Sequence, residues 1–275
     1  MSALGSNVER LRYAALPIVL LAVSLRRWQP AWLMITGVVL ATVWNVTPLA
    51  SSFAQATSDP AGTPAYWATT VSFLQAHLSP SFRVEAVDTA DHWPAEYLPA
   101  NGIPIVRGWY RQADFPENEL LYDAKLSPTT YRAWLRQLGV RYVVLSDAPP
   151  DYSSRVEAKL IRSGRSGLVP VFRARHVSVY AVPNARSLVT GPGLASVQWL
   201  WPTRAVIAIS RPGRYRVALR WSPYWATPQG CVSRGADGMV RLSVRRPGLV
   251  QLSFSPTISS GLETLAGVSD NRRCE

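Results

Sequence analysis

The chain is short of charge, of lysine, of cysteine and of histidine, and each scarcity removes a class of protein. Charged residues fill 17% of its 275 positions, against about 25% in an average soluble domain. The deficit is concentrated at the N-terminus. Lys125 and Lys159 are the only lysines, so the net charge of +12 rests on single arginines spread along the chain. The Lys/Arg blocks of a nucleic-acid footprint are missing, which argues against DNA or RNA as a partner. Three histidines, His77, His92 and His176, with no Cys/His cluster, provide no zinc motif, and no Gly-rich phosphate loop or nucleophile elbow occurs. The two cysteines, Cys231 and Cys274, lie near the C-terminus. An even count outside the cytoplasm allows one disulfide, and two unrelated thiols are equally compatible with the spacing.

What is present begins with apolar sequence. Between Arg27 and Asp59 no charged residue occurs, and Ala31 to Ala50 supplies the roughly 20 apolar positions that a helix needs to cross hydrocarbon. Upstream, Tyr13 to Leu25 is apolar but short, contains Pro17, and is edged by Arg12, Arg26 and Arg27; it can span only with arginine snorkelling. If both cross, the short basic loop Arg26 to Pro30 stays cytoplasmic, and the large C-terminal region faces outward. Ala54-Gln55-Ala56 also has the small-x-small form of a signal-peptide cleavage site. Either reading sends the rest of the chain to the outer side, so the expected location is the plasma membrane with the bulk extracytoplasmic.

The expected fold is a membrane-anchored α+β chain: two N-terminal transmembrane helices, then a small α/β domain and a C-terminal antiparallel β-sandwich. The anchor covers 1–56, with helices at about 12–27 and 30–51, and the Pro/Gly-rich stretch 57–65 reads as a linker. In the α/β domain, 66–185, Thr63 and Pro64 open a helix with Trp67, Val71, Leu74 and Leu78 on one stripe. A strand over Phe82–Val87 follows. Ser127-Pro128 starts a helix that ends at Gly139, and Val140–Leu145 is a buried strand. Ser154 and Glu157 have the spacing of a capping box, ahead of a short helix and the strand pair Leu168–Ala174 and Val177–Val182. Helices alternating with strands imply a parallel pair. The sandwich, 190–258, rests on five alternating runs at Ser196–Trp201, Arg204–Ile209, Arg214–Trp221, Met239–Val244 and Leu249–Phe254. In the third run Arg214, Arg216 and Arg220 share a face expected to be cationic and wet. Residues 259–275 form a tail.

The densest polar and aromatic sequence runs from Asp88 to Tyr97 and from Arg107 to Asp114, and is expected as loop at the carboxyl end of a strand. Its candidate binding residues are Asp91, His92, Trp93, Glu96, Arg107, Trp109, Arg111, Gln112 and Asp114. Aromatic faces stack on sugar rings, while Arg, Asp and Gln fork hydrogen bonds to hydroxyls or phosphate. The same residues serve equally well as an ion-pair network that holds a long loop down. Asp88, Asp91 and His92 have metal-ligand chemistry, but their spacing matches no zinc or calcium motif. No metal or cofactor is expected. Carboxylates here could act as the acid pair of a glycosidase only at a separation that sequence does not specify.

The segments RVEAVDTADHWPAEYL, RGWYRQAD, YRAWLRQLGVRYVVLSD and SVYAVPNA, with RYRVALRWSPYWATPQG and RPGLVQLSFSP later on, carry a resemblance over roughly residues 30 to 260. The chain resembles the outer C-terminal part of large actinobacterial multi-pass membrane proteins of the pyruvoyl-tetrahydropterin-synthase-related and YfhO-like type, which are similar to GT-C glycosyltransferases. The resemblance implies work on a polyprenyl-phosphate sugar or glycan outside the cytoplasm. Enzymes of that type have many membrane helices and a catalytic acidic residue in their first outer loop. This chain has at most two helices and no such loop, so no catalytic residue carries over. The expectation is an outer domain of a split or truncated system, binding saccharide or a multi-pass glycosyltransferase partner at the membrane; the alternative is a structural or interaction protein of the envelope.

Overall fold

A computed structural model describes residues 17–22, 31–108, 111–123, 126–256 and 274. Of the first expected membrane helix, residues 17–22 are helical; the rest of it, its basic loop and the tail apart from Cys274 lie outside the described residues. Helix α1 spans Ala31–Ser58 and carries Pro48 inside it. At about 1.5 Å per residue it exceeds the roughly 30 Å of a hydrocarbon core. None of its apolar stretch, Ala31–Ala54, is buried against the rest of the chain, and Trp32, Leu40, Trp44 and Leu49 are exposed. Its polar side chains turn back on the helix: Thr42 Oγ1 donates to Val38 O at 2.8 Å, Asn45 Nδ2 to Ala41 O at 2.8 Å and Thr47 Oγ1 to Val43 O at 2.7 Å. A helix with its polar groups satisfied internally and its apolar side chains facing out suits a lipid environment.

The junction is structured. Pro60–Gly62 forms a 3-10 turn capped by Asp59, and helix α2, Pro64–His77, follows at once. Thr63 gives α2 no side-chain cap; its hydroxyl donates instead to Pro60 O at 2.8 Å. Trp67 Nε1 donates to Ala61 O at 2.8 Å, and Tyr97 OH to Gly62 O at 2.5 Å.

The next layer is a four-stranded sheet in the order β1-β2-β4-β3: β1 is Arg83–Ala86, β2 Val140–Ser146, β3 Val169–Arg173 and β4 Val177–Ala181. Strands β1 and β2 are parallel, while β2/β4 and β3/β4 are antiparallel. Helices α3 (Trp93–Ala100), α4 (Arg111–Glu117), α5 (Pro128–Gln137) and α6 (Arg155–Arg162) complete this half. Strand β2 shows why its sequence is so apolar. Tyr142 and Val144 join the cluster under α2 and α3, and Val143 and Leu145 join the one under α5 and α6. A strand covered on both faces reads as a continuous apolar run.

The C-terminal half contains two four-stranded sheets whose pairings are all antiparallel. One has the order β10-β11-β8-β5 and the other β6-β7-β12-β9. The five expected runs appear as β6 (Ala195–Trp201), β7 (Arg204–Ile209), β8 (Gly213–Arg220), β11 (Met239–Val244) and β12 (Gly248–Phe254). Three shorter strands join them: β5 (Val189–Thr190), β9 (Trp225–Ala226) and β10 (Gly230–Arg234). Val217 and Leu242 from the first sheet and Ile207 and Leu252 from the second belong to one buried cluster. A disulfide joins Cys231 to Cys274, with Cα atoms 5.4 Å apart, and so fastens the chain end to β10.

The arginine face of β8 is partly wet: Arg214 is exposed, while Arg216 and Arg220 are half-buried and paired. Arg216 pairs with Asp237 at 2.5 Å and donates to Gln137 O at 2.8 Å. Arg220 pairs with Glu117 at 2.7 Å and donates to Glu117 O at 2.6 Å. Arg216 and Arg220 help to seat the C-terminal sheets on the α/β half, where Ser81 also accepts from Leu188 N and Val197 N.

Candidate functional site

The expected long loop between β1 and α5 contains α3, α4 and a 3-10 turn at Glu119–Tyr122. Residues 104–106 run along β1, with Val84 N bonded to Pro104 O and Val106 N to Val84 O. That short pairing delivers Arg107 to the carboxyl end of the strand, into the interior.

Arg107 is buried together with Asp114, Glu85 and Glu157. Its Nε donates to Glu85 Oε1 at 2.8 Å, its Nη2 to Glu157 Oε2 and Ser154 Oγ at 2.8 Å each, and its Nη1 to Asp114 Oδ2 at 3.4 Å. The shell around it is also bonded. Tyr131 OH donates to Glu157 Oε1 at 2.6 Å, Tyr122 OH to Asp114 Oδ2 at 2.7 Å, Asn118 Nδ2 to Asp114 Oδ1 at 2.9 Å and Trp134 Nε1 to Asn118 Oδ1 at 3.1 Å.

One guanidinium thus faces three carboxyl groups. Burial pushes Glu85 well above the usual carboxylate range; Arg107 opposes the shift, and Glu157 and Asp114 reinforce it. Burial raises Glu157 as well. Arg107 moves above its ordinary value because the carboxylates outweigh its own desolvation. A proton retained on Glu85 lowers the excess negative charge, and the buried Glu85 Oε2 has no hydrogen-bond partner. With Glu85 and Glu157 sealed from solvent, the cluster has the chemistry of a structural lock whose two glutamates no substrate atom can reach, while Arg107 and Asp114 border a cleft.

The sequence-level candidates therefore fall into separate places. Arg107 and Asp114 belong to the lock, bonded to each other and to Glu85, Glu157, Asn118 and Tyr122. Trp109 and the side chains of Arg111 and Gln112 lie outside the described residues. Asp91, His92, Trp93 and Glu96 line a separate open cleft of about 260 Å³ at the start of α3. His92 has a left-handed backbone, φ 61°, and its Nδ1 lies 2.6 Å from Asp88 Oδ2. Trp93 Nε1 donates to Asp59 Oδ2 at 2.7 Å, tying the cleft to the foot of α1. Burial and the neighbouring Asp59 carboxylate raise Asp91. The two groups are linked through Ser154 Oγ, which accepts from Arg107 and from Asp88 N at 3.2 Å. Ser154 and Glu157 accordingly do not form a capping box; α6 has no side-chain cap.

A second surface has no counterpart among those candidates. Trp199 and Trp201 project from β6, 60% and 47% exposed, with ring centroids 5.9 Å apart and planes 17° from parallel. Cross-strand pairing puts Val206 and Gln251 beside Trp199, and Arg204 and Ser253 beside Trp201. Arg204 lies over the Trp201 ring at 5.7 Å and donates to Gln251 Oε1 at 2.8 Å. The signal was in the sequence: tryptophans two apart in a strand share a face.

Fold and sites together define an α+β protein that carries a helix long and apolar enough to cross a membrane, a locked polar interior and an aromatic outer sheet face. Comparison with protein-family models, with curated proteins and with solved structures finds no match to this chain.

Proposed function

We propose that this chain is a membrane-anchored domain held outside the cytoplasm, which positions a saccharide during envelope-glycan assembly and leaves the chemistry to a many-helix glycosyltransferase partner. The observation that carries this reading is the exposed, near-parallel Trp199–Trp201 pair with Arg204 and Gln251 beside it. Indole faces stack on the C–H faces of sugar rings, while guanidinium and amide groups bond the hydroxyls. Two antiparallel sheets contributing to one apolar core support reading this half as a β-sandwich, and the outer face of a sandwich sheet is a rigid place for such a platform. The internally satisfied α1 supports the anchor, and the basic residues Arg26 and Arg27 support the outward orientation. The cleft at Asp91, His92, Trp93 and Glu96 is a smaller polar recess beside the membrane junction, suited to a neighbouring sugar unit.

Affinity electrophoresis of the full chain in detergent, run through gels containing soluble glucan, mannan or galactan, tests the reading. At least one polymer should retard the protein, and Trp199→Ala with Trp201→Ala should abolish the retardation while circular dichroism stays unchanged. Wild-type mobility in all three polymers, or retardation that survives both substitutions, would overturn it.

A second reading is favoured by Leu249, 64% exposed, which pairs across from Ala208 on the same outer face. An apolar residue beside two tryptophans suits docking of the membrane partner itself. In that case the double substitution would abolish co-purification with a many-helix membrane protein and change no polysaccharide mobility.

A further inference from the structure

Arg83 differs in its partners from Arg107, Arg216 and Arg220. Arg107 has three carboxyl partners, Arg216 has Asp237 and Arg220 has Glu117. Arg83 has none among the described residues: its Nη2 donates to Leu138 O at 3.0 Å and to Ala218 O, and its buried Nε has no hydrogen-bond partner. A desolvated cation whose hydrogen bonds go only to carbonyls is costly; the nearby Glu85 carboxyl offsets part of that cost but is bonded to Arg107, and a further counter-charge would offset more.

Its surroundings show where the counter-charge would sit. Arg83 lines a cleft of about 230 Å³ between the α/β half and β8, together with Arg107, Arg220, Asn118, Glu117 and Asp114. Three guanidiniums therefore border one recess. Both acids in its wall are committed: Asp114 to Arg107, Asn118 and Tyr122, and Glu117 to Arg220. Burial, with Arg220 and Arg216 nearby, lowers Arg83 to about 10 against the opposing pull of Glu85, the response of a desolvated cation with other cations close by. Crevices between two packed units are common ligand sites. Both Nη2 hydrogens of Arg83 go to carbonyls and its Nε is buried, which leaves Nη1 as the nitrogen that can donate to an oxyanion in the cleft.

We propose that this inter-domain cleft binds one oxyanion, a carboxylate or phosphate group of a ligand, on Arg83 and Arg220. The site stands independently of the saccharide platform, which occupies the other sheet. An anion seated there would touch both halves of the outer region and fix their relative position, so ligand charge and domain seating would be coupled.

Isothermal titration of the full chain in detergent at low ionic strength, with inorganic phosphate, glucuronate and glucose as separate titrants and chloride at matched ionic strength as the salt control, is the test. Phosphate or glucuronate should bind saturably, and glucose and chloride should not. Tighter phosphate would point to a phosphorylated lipid or sugar as the source, and tighter glucuronate to an acidic saccharide. Arg83→Gln should weaken the anion about tenfold or more, equivalent to about 1.4 kcal/mol. Arg220→Gln, at the more exposed of the two arginines, should weaken it several-fold with an unchanged circular dichroism spectrum, while Trp199→Ala should leave binding unchanged. The proposal fails if neither anion binds above the chloride control, or if Arg220→Gln and Arg83→Gln both bind as the wild type does.

Discussion

Arg107 and Trp199 are both residue types that binding sites use, yet the fold treats them in opposite ways. Arg107 is enclosed by Glu85, Glu157 and Asp114, and each of its three nitrogens is bonded inside the protein. Trp199 stands on the outer face of a sheet with most of its ring in solvent. A polar residue that looks functional in sequence can be fully employed by the interior, and a tryptophan that looks like core can be what the interior leaves over. Availability, more than residue type, separates the two, and it can be tested by asking what each region loses on substitution.

The largest effect should come from the lock. Replacing Arg107 by Met removes the cation bonded to three buried carboxyl groups, and breaking such a cluster costs about 3–5 kcal/mol. For a domain of this size that corresponds to a fall in Tm of roughly 6–20 °C, read by circular dichroism in detergent. The comparison would break if Arg107→Met melted with the wild type. It would sharpen if Glu85→Gln with Glu157→Gln restored part of the loss, because the unpaired negative charge would then be gone.

Next comes the Cys231–Cys274 bridge, which spans 43 residues. Its reduction should cost about 2–4 kcal/mol by loosening constraint on the unfolded chain. Cys231→Ser should reproduce the drop in Tm and make the protein insensitive to reductant. Unaltered melting in dithiothreitol would show that the bridge contributes nothing.

Smaller again is the pH response. Glu85 and Glu157 are raised in the folded state, so the fold holds their protons more tightly than the unfolded chain does. The stability this contributes is complete below the ordinary glutamate pKa of about 4.5 and is lost as pH rises through the raised value. Melting temperature should therefore decline between pH 5 and pH 8. The window avoids Asp147 and Asp237, whose lowered values contribute stability that disappears only at more acidic pH. Glu85→Gln keeps the neutral shape and should flatten the decline; a steeper one would show that Glu85 is ionised in the fold.

These effects divide along the line between what sequence patterns expose and what they conceal. The helix at Pro128 was legible because Ser127 caps it through Thr130 N at 3.1 Å and Gly139 follows it with φ +73°, both local signals. Strand β2 was legible from its unbroken apolar run. Glu157 was misread because Ser-x-x-Glu before an apolar turn is equally the spacing of a cap and of an acid whose cation lies 50 residues away. Tyr131 disappeared into an apolar stripe for the same reason: only tertiary structure shows its hydroxyl on Glu157. Arg216 and Arg220 alternate as a solvent face should, and their partners Asp237 and Glu117 come from elsewhere in the chain. Strands as short as Val189–Thr190 and Trp225–Ala226 have no period to detect. Local rules recovered elements, while long-range charge pairing, which distinguishes a lock from a site, left no local mark.

The smallest stability effect belongs to the tryptophans, and it bears most directly on the comparison. Trp199 is 60% exposed and Trp201 47%, so truncation forfeits little apolar burial, and each Ala substitution should shift stability by roughly 1 kcal/mol or less. Trp201 should cost the more of the two, because Arg204 packs over its ring and a cation–π contact of this kind contributes about 0.5–1 kcal/mol. Binding should show the reverse order. Trp199 offers the larger open surface, so its loss should weaken polysaccharide retention more than that of Trp201 while costing less in Tm. If Trp199→Ala instead melted as low as Arg107→Met, the outer face would be structure after all, and the opposition between a spent interior and an available surface would collapse at its available end.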